Sequence, residues 1–283
     1  MSDRTALLGS EFGEEERELS VWSTLWTAVS RIRRDPGLVV PFFFAGVVVT
    51  IVDYLRLRDS VPVSVVDRMG GGGIDITYLI YPTGSRTTTT PFGALVDLTV
   101  APLLTTVGLE LTAFLAVGVA GWLTLSRALG NRTKSARLFP YLGLLALLHV
   151  AFRLLGLVGT IGGPVGLLLF VGTLAVFVRV FLVPVLVVAG DDISAAFGRS
   201  ARLTRGYRWT VFGLVLVVGL GTFALGSVSL VGPLLSATLV APVHAVALVV
   251  VAERIEKAEG TERAERTNQP ERTDRRAGFR SDT

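Results

Sequence analysis

Arg179 to Trp209 reads RVFLVPVLVVAGDDISAAFGRSARLTRGYRW. The stretch starts inside an apolar run that already carries Arg179. It breaks at Asp191 and Asp192, and closes on a basic, amphipathic segment before the next apolar run. A chain that leaves a bilayer, lies along its charged face and re-enters would have this pattern. The same alternation recurs in both directions along the sequence. The fold expected is an all-α integral membrane helical bundle of about six transmembrane helices with two in-plane amphipathic helices.

Composition supports this. The chain has 283 residues, 51% of them hydrophobic and only 18% charged, where a soluble domain carries about 25% charged residues. Mean hydropathy is +0.60. There is no cysteine, so disulfides, thiol catalysis and thiolate metal sites are excluded. Two histidines are too few for a histidine-built metal centre, and no cofactor is expected. The net charge of +4 does not point to nucleic acid. The basic residues sit in short segments between apolar runs, where they orient a membrane protein. Nearly all are Arg, with Lys only at Lys134 and Lys257. The acidic N-terminus shows no signal peptide.

Residues 1–18 and 253–283 read as disordered cytoplasmic tails around a membrane domain over 19–252. Leu19, Trp22, Leu25, Trp26 and Val29 recur at helical spacing. They describe either an in-plane interfacial helix with Trp22 and Trp26 at headgroup depth, or an amphipathic helix packed under the bundle. Asp35-Pro36-Gly37 ends it. The spans expected are about 38–55, 103–125, 139–161, 165–189, 210–230 and 234–251. Asp53, near the far end of the first, is expected to reach the interface. Residues 56–91 form an external loop, with 74–81 (IDITYLIY) a possible strand. Thr90-Pro91 looks like a helix start, and Pro102 should kink the long run behind it.

Orientation follows from the arginines. The segment before the first span, 126–138, 191–208 and the C-terminal tail are all Arg-rich, while the turns at Gly162 and Gly232 are uncharged. Both termini are therefore expected on the cytoplasmic side of the cell membrane. Ser135-Ala136-Arg137-Leu138 and Ser200-Ala201-Arg202-Leu203 each precede an apolar run that ends in a turn closing on Pro. That echo fits either a repeated helical hairpin or chance in apolar sequence.

Residues Asp191 to Trp209, with the apolar run before them, resemble the membrane domain carried by some glycerophosphodiester phosphodiesterases and by related polytopic proteins of bacteria and archaea. The positions that carry the likeness are Pro184, Asp191, Ala196, Arg199, Ser200, Leu203, Gly206 and Trp209, together with the opening Trp26 to Pro41. The resemblance implies a polytopic membrane architecture over roughly residues 19–252. It implies no phosphodiesterase activity, because no soluble segment here is large enough for the catalytic domain.

Two sets of residues are candidate sites. Arg199, Arg202 and Arg205 are three apart and are expected on one helical face, with Ile193, Ala196, Phe197 and Thr204 on the other. Asp191 and Asp192 would cap that helix. These arginines either hold anionic lipid headgroups or only enforce topology. Glu110, His149, Arg153 and Arg179 are the ionisable residues inside apolar runs. They should face the bundle interior and pair, with Glu110 joined to Arg179 or Arg153. The set is either a structural ion pair or an anion site. His244 is expected to be a hydrogen-bonded interhelical residue.

Enzyme motifs fail. Gly198-Arg199-Ser200-Ala201 lacks the second glycine of a nucleophile elbow, and Gly70 to Gly73 precede no Lys-Ser/Thr. The expectation is a multi-pass, non-enzymatic membrane protein that organises lipid or a membrane partner. The alternative is a small transporter or permease-like protein with an intramembrane anion site. The bilayer, anionic lipid in particular, is the expected partner, with a protein partner or homo-oligomer left open.

Overall fold

A computed structural model of the chain describes residues 19–59, 61, 63–65, 81–90, 98–130, 135–158, 163–228 and 231–268. Within them the fold is helical apart from a two-residue strand pair. The helices are α1 (Val21–Arg34), α2 (Val40–Arg58), α3 (Val100–Ala128), α4 (Leu138–Val158), α5 (Gly163–Val180), α6 (Val183–Ala189), α7 (Ile193–Leu203), α8 (Arg208–Gly226), α9 (Gly232–Leu235) and α10 (Ala241–Asn268). Five stretches are long and apolar enough to cross a membrane: Pro36–Arg58, Val100–Ala128, Val171–Ala189, Arg208–Gly226 and Gly232–Thr261. The expected span at 139–161 falls on α4, where Ser135–Ala151 is a shorter apolar helix.

The α2–α3 pair is the most extensive helix packing in the bundle. At one end Thr124 Oγ1 donates to the Leu38 carbonyl at 3.1 Å, and Arg127 forks onto Asp35 at 2.6 and 2.7 Å. The hydrogen bond from Arg127 holds the Asp35 carboxyl below the usual carboxylate range. α4 comes close to α3 because Gly118 and Gly121 leave no Cβ against Leu142 and the Tyr141 hydroxyl. Tyr141, Leu144, Leu145 and Leu125 fill that seam, all fully buried. α10 runs through the middle, with Ala245 to Val251 buried throughout.

Two prolines set the irregularities. Pro184 has no N–H to give the carbonyl four residues back, at Val180, and α5 stops at Val180. The chain turns at Phe181 and Leu182, then continues as α6, whose residues Val183 to Val188 are all buried. Gly190, at φ +131°, ends α6 in a conformation that favours glycine. α7 then folds back along α6. Ser200 on α7 reaches the break and satisfies both of its loose ends. Its hydroxyl donates to the Arg179 carbonyl at 2.6 Å and accepts from Leu182 N–H at 3.2 Å. Pro242 likewise cannot donate to Thr238, and the helix enters α10 through a wide π turn, Ser236–Val240.

Several expectations shift. α3 starts at Val100 with Thr99 as N-cap, so Pro102 lies in its first turn, where a missing N–H is harmless, and produces no kink there. Pro91 and most of 74–81 lie outside the described residues. α10 runs on to Asn268, beyond the expected tail boundary at Glu253. Glu253, Arg254 and Glu256 all find partners on α1 and α7, which extends the helix. Residues 1–18 and 269–283 lie outside the described residues. Asp191 and Asp192 make no side-chain cap on α7. They face Arg199 and Arg137 instead.

Ser200→Ala removes a donor and an acceptor that are both buried. It should cost about 1–3 kcal/mol. Thermal unfolding in detergent should give a clearly lower midpoint than for Ser194→Ala, whose site on α7 is exposed.

Candidate functional site

The bundle has two polar ends, and they are built differently. At the end holding α1, α7 and the far part of α10, the charges pair with each other near the surface. Arg31 bonds Glu253. Arg254 donates to Ser23 and Thr27 on α1, at 2.8 and 2.9 Å. Arg199 sits between Asp191 at 3.0 Å and Glu256 at 2.6 Å, and the Asp191 hydrogen bond raises its pKa. The expected row of three arginines is therefore divided. Arg199 is committed to carboxylates. Arg202 is exposed at the end of α7, and Arg205 is exposed on the separate 3-10 turn Thr204–Gly206, off the α7 face. Thr204 breaks the helical run between them, which a count of threes cannot reveal.

At the opposite end the charges turn inward. Residues 81–90 form a strap between the helices. Thr88 and Thr89 pair with Val65 and Ser64. Asp53 on α2 anchors the strap. It accepts from Thr87 N–H at 2.8 Å, from the Thr87 hydroxyl at 2.7 Å and from the Thr88 hydroxyl at 2.8 Å. Asp53 is 3% exposed; it turns into the bundle rather than to the interface, because the strap supplies the donors that water would have supplied. Ser85 N–H donates to Ser236 Oγ on the π turn at 3.0 Å. Gly84 lies so close to that turn that a Cβ would stand 2.7–2.8 Å from Ala237, backbone included.

The strap carries Arg86 onto Glu110 of α3. Arg86 Nη1 donates to Oε1 at 2.6 Å, and Arg56 Nη2 from α2 donates to Oε2 at 2.5 Å. His149 Nε2 of α4 stands 3.8 Å from Oε1. On its other side, His149 Nδ1 is 3.3 Å from the Tyr81 hydroxyl. Burial pushes the Tyr81 phenol up to about 12. It therefore stays protonated at neutral pH, and it donates to Nδ1 or accepts from it according to the ring tautomer. Phe114 meets the ring edge-on.

Beside this cluster is a cavity of about 50 Å³. Ser85, Arg86, Glu110, His149 and Tyr81 give it a polar side. Val49, Ala113, Val117 and Leu145 give it an apolar floor. A water needs about 10–15 Å³ by this measure, so the space suits a few waters or one small solute.

Of the expected buried set, Glu110 and His149 come together. Arg179 does not join them: it is exposed in the last turn of α5. Glu110 takes Arg56 and Arg86 in its place. The Arg153 side chain lies outside the described residues. His244 is 1% exposed and stacks on Phe181 at 5.7 Å. Both its ring nitrogens lack a hydrogen-bond partner among the described residues, so the expected interhelical hydrogen bond is replaced by stacking at the α5–α6 break. No group of three or more metal-ligating side chains occurs among the described residues.

Arg56, Arg86 and Asp53 were missed as site residues. The signal for them was present. Asp53 and Arg56 are three apart on α2, hence on one face, and Thr87 to Thr90 are a run of hydroxyls able to saturate a carboxylate.

Removing the Glu110 charge leaves Arg56, at 2% exposure, without its counter-ion. Glu110→Gln should cost about 3–5 kcal/mol, and a double variant that adds Arg56→Met should recover much of it. Unfolding midpoints of the four proteins in one detergent would check this; a simple sum of two losses would contradict it. No protein-family model matches the chain, and neither does any curated protein or solved structure.

Proposed function

We propose that this chain is a multi-pass, non-enzymatic membrane protein of six spans that admits a small hydrophilic solute to the cavity under the strap, as a transporter or permease-like protein would. The observation that supports it is the cavity itself. Polar groups from α3, α4 and the strap converge on it, and they are held by a segment whose own hold on the bundle is a set of hydrogen bonds. A purely structural ion pair does not require a cavity beside it. Arginine placement puts the strap outside the cell membrane and both termini inside, so the solute would enter from the external side. The membrane domain found on some glycerophosphodiester phosphodiesterases is the relative we propose, on the positions quoted above.

The lipid-organising reading keeps one support. Trp22, Trp26 and Trp209 are 74%, 60% and 84% exposed, with Arg33 over Trp26 at 5.9 Å. Gly213 lets Val21 pack onto α8, which brings the N-terminus of α1 to α8. Exposed tryptophans at the arginine-rich end suit headgroup depth, with α1 in the membrane plane.

The cysteine-free sequence makes the test clean. In intact cells, Ser85→Cys should react with a small membrane-impermeant methanethiosulfonate, and Arg205→Cys only after permeabilisation. Gly84→Val should lift the strap and speed the first reaction. The opposite sidedness would refute the orientation. Failure of Ser85→Cys to react even in permeabilised cells would refute solute access.

A further inference from the structure

His149 stands between two points at which the strap meets the charged cluster. On one side its Nδ1 is 3.3 Å from the Tyr81 hydroxyl. On the other its Nε2 is 3.8 Å from Glu110 Oε1, the same oxygen that accepts from Arg86 Nη1 at 2.6 Å. All four side chains line the cavity. The 3.8 Å gap is too long for a hydrogen bond, so Nε2 and Oε1 are neighbours with room to close. Tyr81 and Arg86 thus reach the bundle on either side of one imidazole ring.

Histidine is the side chain whose ordinary titration falls between pH 5 and 8. The titratable and charged groups that face this ring are Glu110 from α3, Tyr81 and Arg86 from the strap, and Arg56 of α2, which bonds the far oxygen of Glu110. Arg153, one turn along α4, has its side chain outside the described residues. α6, which packs on α4, has no ionisable residue. Arginine does not titrate in proteins, and Tyr81 is pushed up to about 12, so neither changes charge in that range. A neutral imidazole has one donor and one acceptor nitrogen, whichever its tautomer; an imidazolium has two donors. Protonation therefore makes Nε2 a cationic donor beside Oε1, where it competes with Arg86 for one oxygen. It also sets two positive groups within 4 Å of the same atom, and like charges repel. At Nδ1 the Tyr81 hydroxyl is left able only to accept. One proton thus disturbs both strap contacts. The anchors that Thr87 and Thr88 make on Asp53 do not involve the ring.

Resting on the reading of the strap as the cover of a solute cavity, we propose that His149 is a proton-binding site of that cavity and that its protonation loosens the strap. The acid form is then the form that admits solute. The part from Tyr81 to Arg86 moves, hinged at Thr87 and Thr88, and the hydrogen bond from Ser85 to Ser236 is given up with it. The proton arrives by the route of the solute, from the external side that the strap faces. Solute entry is thereby coupled to external acidity.

The test is hydrogen–deuterium exchange of the full chain in phosphatidylcholine nanodiscs, read on peptides that cover residues 82–86, between about pH 8 and 5.5. Each rate is divided by that of His149→Gln at the same pH, which cancels the intrinsic pH dependence of amide exchange. The ratio should rise about fivefold or more towards acid, the lower end of the usual range for coupled sites. Its midpoint should lie in the ordinary histidine range. A ratio that stays flat, or falls in acid, would overturn the proposal. If His149→Gln does not fold, Gly84→Val replaces it as the reference, since its strap is already lifted. The ratio should then approach one in acid, and a constant ratio would overturn the proposal. If Ser85→Cys labels from outside while the ratio is flat, the solute cavity stands and the proton switch is wrong. If it does not label in any preparation, the cavity reading has failed and the proposal falls with it.

Discussion

A carboxylate on an apolar helix has to be neutralised, and the strap end of this bundle is arranged around that requirement. Glu110 lies on α3 among Leu109, Leu111, Ala113 and Phe114. It cannot stay ionised there at tolerable cost without cations within hydrogen-bond reach. α2 supplies one, Arg56. The second comes from a residue some distance along the chain, Arg86. Delivering Arg86 draws the strap down between the helices, where its own backbone groups need partners. Asp53 and Ser236 provide them. The buried charge thus explains why a polar connection enters an apolar bundle.

The same logic governs the helix breaks. Pro184 and Pro242 each remove a backbone donor from an apolar helix, where no water can make up the loss. A serine stands at each irregularity. Ser200 joins both sides of the α5–α6 break, and Ser236 opens the π turn and accepts from the strap. These are the points where elements distant in sequence are pinned together. α7 is fixed to α5 and α6 at the first, and the strap to the start of the last span at the second. α10 links the two ends of the molecule, since it begins at the π turn and finishes among Arg31 and Arg199.

Much of this architecture was legible in the sequence. Apolar runs of span length, arginine-rich loops and the Asp35-Pro36-Gly37 stop are local signals, and each corresponds to a helix or a boundary in the fold. Glu110 and His149 were legible as site residues because an ionisable group inside an apolar run is rare. Their partners were not. Arg56 and Arg86 lie in what reads as a polar loop and its border, where an arginine is ordinary, and only the threading of the strap makes them interior. Arg179 is the converse case: its run is apolar on both sides, yet its side chain is exposed in the last turn of α5 and does not pair with Glu110.

The two ends therefore use similar side chains to opposite effect. At the arginine-rich end, Arg31, Arg127 and Arg199 meet Glu253, Asp35, Asp191 and Glu256 in partly exposed pairs. Exposed pairs contribute little to stability, yet they consume the charge. At the strap end, Arg56 and Arg86 both bond Glu110, and Asp53 is taken up by threonines. Arg56 Nε and Nη1 have no hydrogen-bond partner among the described residues, and a cavity lies beside Glu110. In a bundle otherwise packed with Val, Leu and Ala, that is where a polar molecule would gain most by entering.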